Sequence, residues 1–187
     1  MKKIVAFFAI AGTLVLASCG GKKGNENTDN SVPSGWIALD LSKYGKNLVI
    51  NIPDTTIGPL PLTVDNSTGE MIHITVGKDF QVDIKEGEGN MDMKKTVDIQ
   101  KNEVYTFDKY LVDTADAIIY TWHMNGKTDD KGQPVPEYGL FAIKKIGNVT
   151  YEIESSAGEI FTDAGCKKML ESARSLREKP AEKKPEA

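Results

Sequence analysis

The sequence predicts an α+β domain: an antiparallel β-sheet with a C-terminal amphipathic helix and one further short helix packed on it. Three observations carry this. Apolar and polar residues alternate through most of the middle of the chain, the period of strands with one buried face. Short turns bearing Gly and Asn separate those runs, which favours hairpins and therefore antiparallel pairing. Near the C-terminus the period changes, and Cys166, Met169, Leu170, Ala173 and Leu176 recur at spacings of three and four, the pattern of a helix with one apolar stripe.

Taken in order, Ile37, Leu39 and Leu41 alternate, and then Leu48, Ile50 and Ile52. Pro53, Pro59 and Pro61 punctuate a long connection, because proline has no N–H to give a central ladder. Ile72, Ile74 and Val76 lead through Gly77-Lys78-Asp79 into Phe80, Val82 and Ile84. Residues 91–101 suit a short helix carrying Met93, Val97 and Gln100 on one side. Ile118, Tyr120 and Trp122 alternate within 116–124, and 140–146 leads through Gly147-Asn148 into Val149, Tyr151 and Ile153. Thr162 is a helix N-cap, and Phe161 before it is placed to staple against Cys166. Lys168, Glu171, Ser172 and Ser175 fall on the other faces of that helix.

The chain divides into four parts. Lys2 and Lys3 precede an apolar run over residues 4–17. At fourteen residues the run is shorter than the roughly 20 a spanning helix needs and fits the core of a secretory signal over 1–18. Leu16-Ala17-Ser18-Cys19 follows and resembles the lipobox of bacterial lipoproteins. That resemblance implies a diacylglycerol on the Cys19 thiol, cleavage just before it, and membrane lipid as a partner. Gly20 stands where an Asp would imply retention in the inner membrane, so the resemblance favours the outer membrane. Residues 19–35 are then the lipidated Cys and a tether, too poor in apolar groups to offset the entropy of ordering. Residues 36–177 form one domain, large enough to bury ~68–70% of its unfolded surface. Residues 178–187 mix charges with two prolines and read as a disordered, solvated tail.

Of 187 residues, 23 are Lys or Arg and 27 Asp or Glu, a net charge of −4. Loss of Lys2 and Lys3 deepens it. Nucleic-acid affinity comes largely from cationic neutralisation of phosphates, so nucleic acid is not an expected partner. Of two cysteines, lipidation consumes Cys19 and leaves Cys166 without a disulfide partner.

The progression from 48–53 through 72–84, Phe107-Asp108-Lys109-Tyr110, 116–122 and 138–153 to Met169-Leu170-Glu171-Ser172 resembles a group of uncharacterised lipoproteins of the Bacteroidota. The strand pair and helix at the end are also similar, at the level of fold, to the PsbP/Mog1-like sandwich. Neither resemblance brings a catalytic motif, and the PsbP metal-binding residues have no counterparts in this sequence.

Candidate sites are few. His73 and His123 each sit between apolar neighbours in strand patterns; a pair of metal ligands on one face is one reading, and two polar-face residues the preferred one, since two ligands do not make a site. Glu86, Glu88, Asn90 and Asp92 place oxygens at alternate positions, a spacing calcium loops use. Met91 stands at the turn position where such loops carry Gly, and no bidentate Glu follows, so a solvated acidic turn is expected. Gly126-Lys127-Thr128 lacks the earlier Gly of a phosphate loop. Cys166 reads as a packed thiol, with a reactive thiol near a helix start as the alternative. Asp54-Thr55-Thr56 and Asp113-Thr114-Ala115 match the short O-glycosylation pattern of Bacteroidota.

No catalytic residue and no cofactor is assigned. The expected function is that of an exported, lipid-anchored, non-enzymatic binding or envelope-associated module facing the periplasm or cell surface. An accessory subunit of an envelope complex and a carboxylate-based hydrolase are the alternatives.

Overall fold

The structure is a computed structural model that describes residues 32–181 apart from 57, 59 and 102. The expected signal segment 1–18, Cys19, most of the expected tether and Pro59 lie outside the described residues. The chain forms α+β architecture with two antiparallel sheets. The smaller has the order β1-β2-β10, from β1 (Trp36–Asp40), β2 (Leu48–Pro53) and β10 (Arg177–Glu178). The larger has seven strands in the order β3-β4-β5-β9-β8-β7-β6. These are β3 (Leu62–Asp65), β4 (Met71–Val76), β5 (Phe80–Glu86), β6 (Tyr105–Asp113), β7 (Ala117–Met124), β8 (Glu137–Ile146) and β9 (Val149–Ser155).

The predicted hairpins form for the predicted reasons. Val76 pairs with Phe80 and Ile146 with Val149. Gly77 and Gly147 supply φ of 60° and 58°, a region closed to most side chains, where a tight hairpin turns. Ile72, Ile74 and Val76 of β4 oppose Ile84, Val82 and Phe80 of β5. With Ile153, Leu140 and Ile119 they line the inner face of the large sheet.

Helix α2 (Asp163–Ser175) covers that inner face, packing on β8 and β5 and, behind them, on β2. Thr162 caps it by accepting from the Gly165 N–H at 3.1 Å. All five stripe residues, Cys166 to Leu176, are buried, and Phe161 joins the same core. Off the stripe, Ser172 is buried and Ser175 half-buried: the Ser172 hydroxyl donates to the Asn51 carbonyl at 2.6 Å, and the Asn51 N–H donates to Ser175 Oγ at 2.7 Å. One expectation is corrected here: the chain, read as a disordered tail from 178, stays docked beyond Arg177. Glu178 pairs with Leu48, the Lys179 N–H donates to the Asn47 carbonyl at 3.1 Å, and Lys179 Nζ meets Asp40 at 2.8 Å. Beside Lys179 and the Ser42 amide, the Asp40 carboxyl is held well below the usual carboxylate range.

On the opposite, outer face of the large sheet lies α1 (Met91–Met93), which continues as a π-helical turn over Lys94–Ile99. The short helix is where expected; on it Met93 and Val97 are exposed, while Ile99 is buried with Ile118 and Phe141. The i→i+5 bonding of a π turn brings Lys94 and Ile99, five apart, onto the sheet side together. Among the described residues no helix is long and apolar enough to cross a membrane.

Two substitutions in α2 test this packing. Leu170→Ala should lower stability by about 2–5 kcal/mol through lost burial and a residual cavity. Ser172→Ala should lower it by about 1–3 kcal/mol, because the buried Asn51 carbonyl loses its donor. Both show as reduced denaturant midpoints, and an unchanged midpoint for Ser172→Ala would mean that the hydroxyl does not bind the small sheet.

Candidate functional site

The outer face of the large sheet carries the polar groups and most of the aromatic ones. Strand alternation puts His73, Asp83, Lys85, Glu152 and Glu154 on it, and Tyr120 and Trp122 further along. His73 pairs with Asp83, and Asp83 in turn with Glu154. Two carboxylates directly opposite each other are destabilising unless balanced.

Each is balanced from a different side. His73 Nδ1 binds Asp83 Oδ1 in a short contact, and the Ser156 hydroxyl donates to the same oxygen at 3.1 Å. Glu154 takes Lys94 Nζ at 2.7 Å and Lys85 Nζ at 3.1 Å. Burial alone would raise the Glu154 pKa, but the two ammonium groups outweigh it and the carboxyl lies below its ordinary value. For Lys85 the balance is the mirror image: burial opposes its charge, and Glu154 and Glu152 raise its pKa.

Beside this cluster is a cleft of about 300 Å³. Its floor is Gly139 on β8 beside Tyr138, its aromatic wall Tyr105, Tyr120 and Trp122, and its polar groups Asp83, Glu154 and Lys94. The loop Ser156 to Glu159 forms the rim. Gly139 is required because a Cβ there would lie 2.4 Å from the Tyr120 ring, which rests across β8. Tyr105 and Trp122 stack at 4.6 Å between centroids, tilted by 42°. The Tyr105 hydroxyl donates to the Asp98 carbonyl at 2.9 Å, tying this wall to the short helix. Burial pushes the Tyr120 phenol pKa up, so the ring stays neutral. Rings as walls and a few convergent polar groups are the make-up of small-ligand sites.

The sequence-expected candidates fall elsewhere or are brought together only in part. His73 lies on the outer face of β4, whereas His123 lies on β7 with the alternation of Ile119 and pairs with Asp108 at 2.7 Å. The two histidines therefore share no face. Thr75 Oγ1 stands 3.2 Å from His73 Nε2. The order hydroxyl, imidazole, carboxylate is that of a nucleophilic triad, but neither His73 nor Thr75 lines the cleft.

In the acidic turn, Glu86 takes Lys46 Nζ at 2.7 Å and Asn90 caps α1 by accepting from the Met93 N–H at 2.9 Å. Glu88 and Asp92 line a separate open groove beside Lys95. These side chains do not converge, and no group of three or more His, Cys, Asp or Glu placed to hold a metal occurs among the described residues. Lys127 is spent on Glu137 at 2.7 Å. The Thr114 hydroxyl donates within its own turn, to Asp116 Oδ1 at 2.7 Å. Cys166 is fully buried, and burial pushes its thiol up to about 12.

The cleft itself was not anticipated. Ile118, Tyr120 and Trp122 were legible as one strand face, but Tyr105 and the loop after β9 reach them only through the strand order of the sheet.

Two measurements test this description. The lowered Glu154 pKa means that, as pH falls below its ordinary 4.5, the unfolded chain takes up the proton first, so stability drops with acid. Lys94→Gln should lower stability at pH 7 and flatten that acid-side loss, read as urea midpoints across pH. Cys166, buried and protonated, should resist alkylation at pH 8 in the folded protein and react once urea unfolds it, as peptide mass spectrometry would register.

Compared with protein-family models, with curated proteins and with solved structures, the chain finds no match in any of the three, so the chemistry of the cleft carries the functional argument.

Proposed function

We propose that this protein is an exported, lipid-anchored binding module of the bacterial cell envelope, non-enzymatic, held at the membrane through Cys19, with the outer membrane favoured. Its binding site is the aromatic cleft on the outer face of the large sheet. The observation that carries the reading is that cleft: four aromatic residues, a glycine floor and convergent polar side chains in about 300 Å³.

The carboxylate-based hydrolase is the weaker reading. A hydrolase built on two carboxyls keeps one of them protonated near neutrality by raising its pKa. Glu154, the more central of the adjacent pair, is shifted the other way by Lys94 and Lys85. Groups held charged and immobile by ion pairs suit recognition better than proton transfer.

The anchor reading rests on the pattern 16–19. A diacylglycerol supplies two chains, enough for stable attachment where one chain is marginal. The tether of residues 20–35 would then let the domain work within ~20–24 Å of the surface.

Mass spectrometry of the processed protein should find an acylated N-terminal Cys19, and Cys19→Ser should leave the membrane fraction. An unmodified chain beginning elsewhere would remove the anchor. For the cleft, the small-molecule fraction of a bacterial envelope should raise the unfolding temperature of the purified protein. Trp122→Leu should abolish that rise; an equal rise in both would place binding outside the cleft.

A further inference from the structure

We infer that the cleft takes an organic cation, an alkylated ammonium head seated against Tyr105, Tyr120 and Trp122 under the rim that carries Glu159. The inference rests on the reading of the cleft as the binding site and adds the class of ligand.

Charge comes first. The lining holds three carboxylates, Asp83, Glu154 and Glu159, against one ammonium, Lys94. Lys94 is already matched by Glu154 at 2.7 Å and Asp98 at 3.6 Å. Lys85 also meets Glu154 at 3.1 Å and His73 meets Asp83 from outside the lining. This leaves Glu159 as the lining carboxylate with no ion pair among the described residues, near aromatic rings whose quadrupoles also attract cations. An anion is repelled by both features, and a neutral ligand gains from neither.

The same face already holds ammonium groups in this way. Lys94 Nζ lies 4.9 Å from the Phe141 centroid while bound to Glu154. Lys95 Nζ lies 5.4 Å from the Tyr110 centroid while bound to Asp113. Each niche joins a ring to a carboxylate, and each is filled by a lysine of the short helix. The cleft repeats the combination with three rings, and its rim brings Glu159 on an exposed loop. Its volume, about 300 Å³, lies at the small end for ligand pockets, which suits a compact head group.

Choline and its uncharged isostere, in which carbon replaces the quaternary nitrogen, separate the cation from its shape. Calorimetric titration of the purified protein should show choline binding at least about tenfold tighter than the isostere. Glu159→Gln, an exposed change, should narrow that preference severalfold without altering affinity for the isostere. Trp122→Leu should weaken both, with circular dichroism confirming that it folds. Equal affinity for the two probes, no choline binding, or a preference untouched by both variants would overturn the inference. If envelope extract still stabilises the protein while choline shows no preference, the cation falls and the cleft remains a binding site. If neither acts, the reading beneath it falls as well.

Discussion

Two serine hydroxyls on α2 join the two layers of this protein. β10 pairs with β2 only at Val49 and Leu48, and would leave the Asn51 N–H and C=O without a ladder partner on that side. Ser175 accepts the one and Ser172 donates to the other, so the helix end continues the ladder where the strand stops. Arg177 Nη1 adds a bond to Asn51 Oδ1 at 3.0 Å. Since buried backbone groups must be satisfied, this arrangement lets β2 lie buried against the helix. Pro53 can end β2 for a related reason: β10 does not reach that far, so its missing N–H costs no bond on that side. The apolar stripe of α2 supplies the burial, and the hydroxyls set where along β2 it rests.

The outer face is covered by a different kind of force. The short helix brings one fully buried side chain, Ile99, and otherwise holds to the sheet largely by polar contacts: lysines on rings and carboxylates, and the Tyr105 hydroxyl on the Asp98 carbonyl. Such a cover leaves room beside it, because ion pairs and cation–π contacts do not require a continuous apolar surface. The cleft lies in that room, between the helix and the loop after β9. A second apolar helix over this face would have closed it. The polar row His73, Asp83, Glu154 and Lys94 therefore offsets the like charges of adjacent strands, and its last three members bound the site.

Much of the fold could be read from the chain because the physical signals are local. Period-2 alternation marks β4, β5 and β9, Gly77 and Gly147 mark their turns, and Thr162 with the stripe from Cys166 marks α2. β6 was not marked, since register shifts at Phe107/Lys109 and Tyr110/Val112 break its alternation. β3 is four residues long at a sheet edge with only Val64 packed, too little apolar surface to show in sequence. β10 consists of Arg177 and Glu178, two charged residues with no apolar alternation to mark them.

Residue chemistry and spacing alone were enough for the fold class, the apolar face of α2 and the buried state of Cys166. The pairing of partners distant in sequence was not, because no local period records which strand lies beside which. Only the strand order β5-β9-β8-β7-β6 carries Asp83, Glu154, Gly139, Trp122 and Tyr105 to one face. Likewise the period of α2 places Ser172 and Ser175 off the apolar stripe, and only the small sheet lying against them makes both partners of Asn51. A helical wheel records the direction of a side chain, and the packing of other segments decides what it meets there.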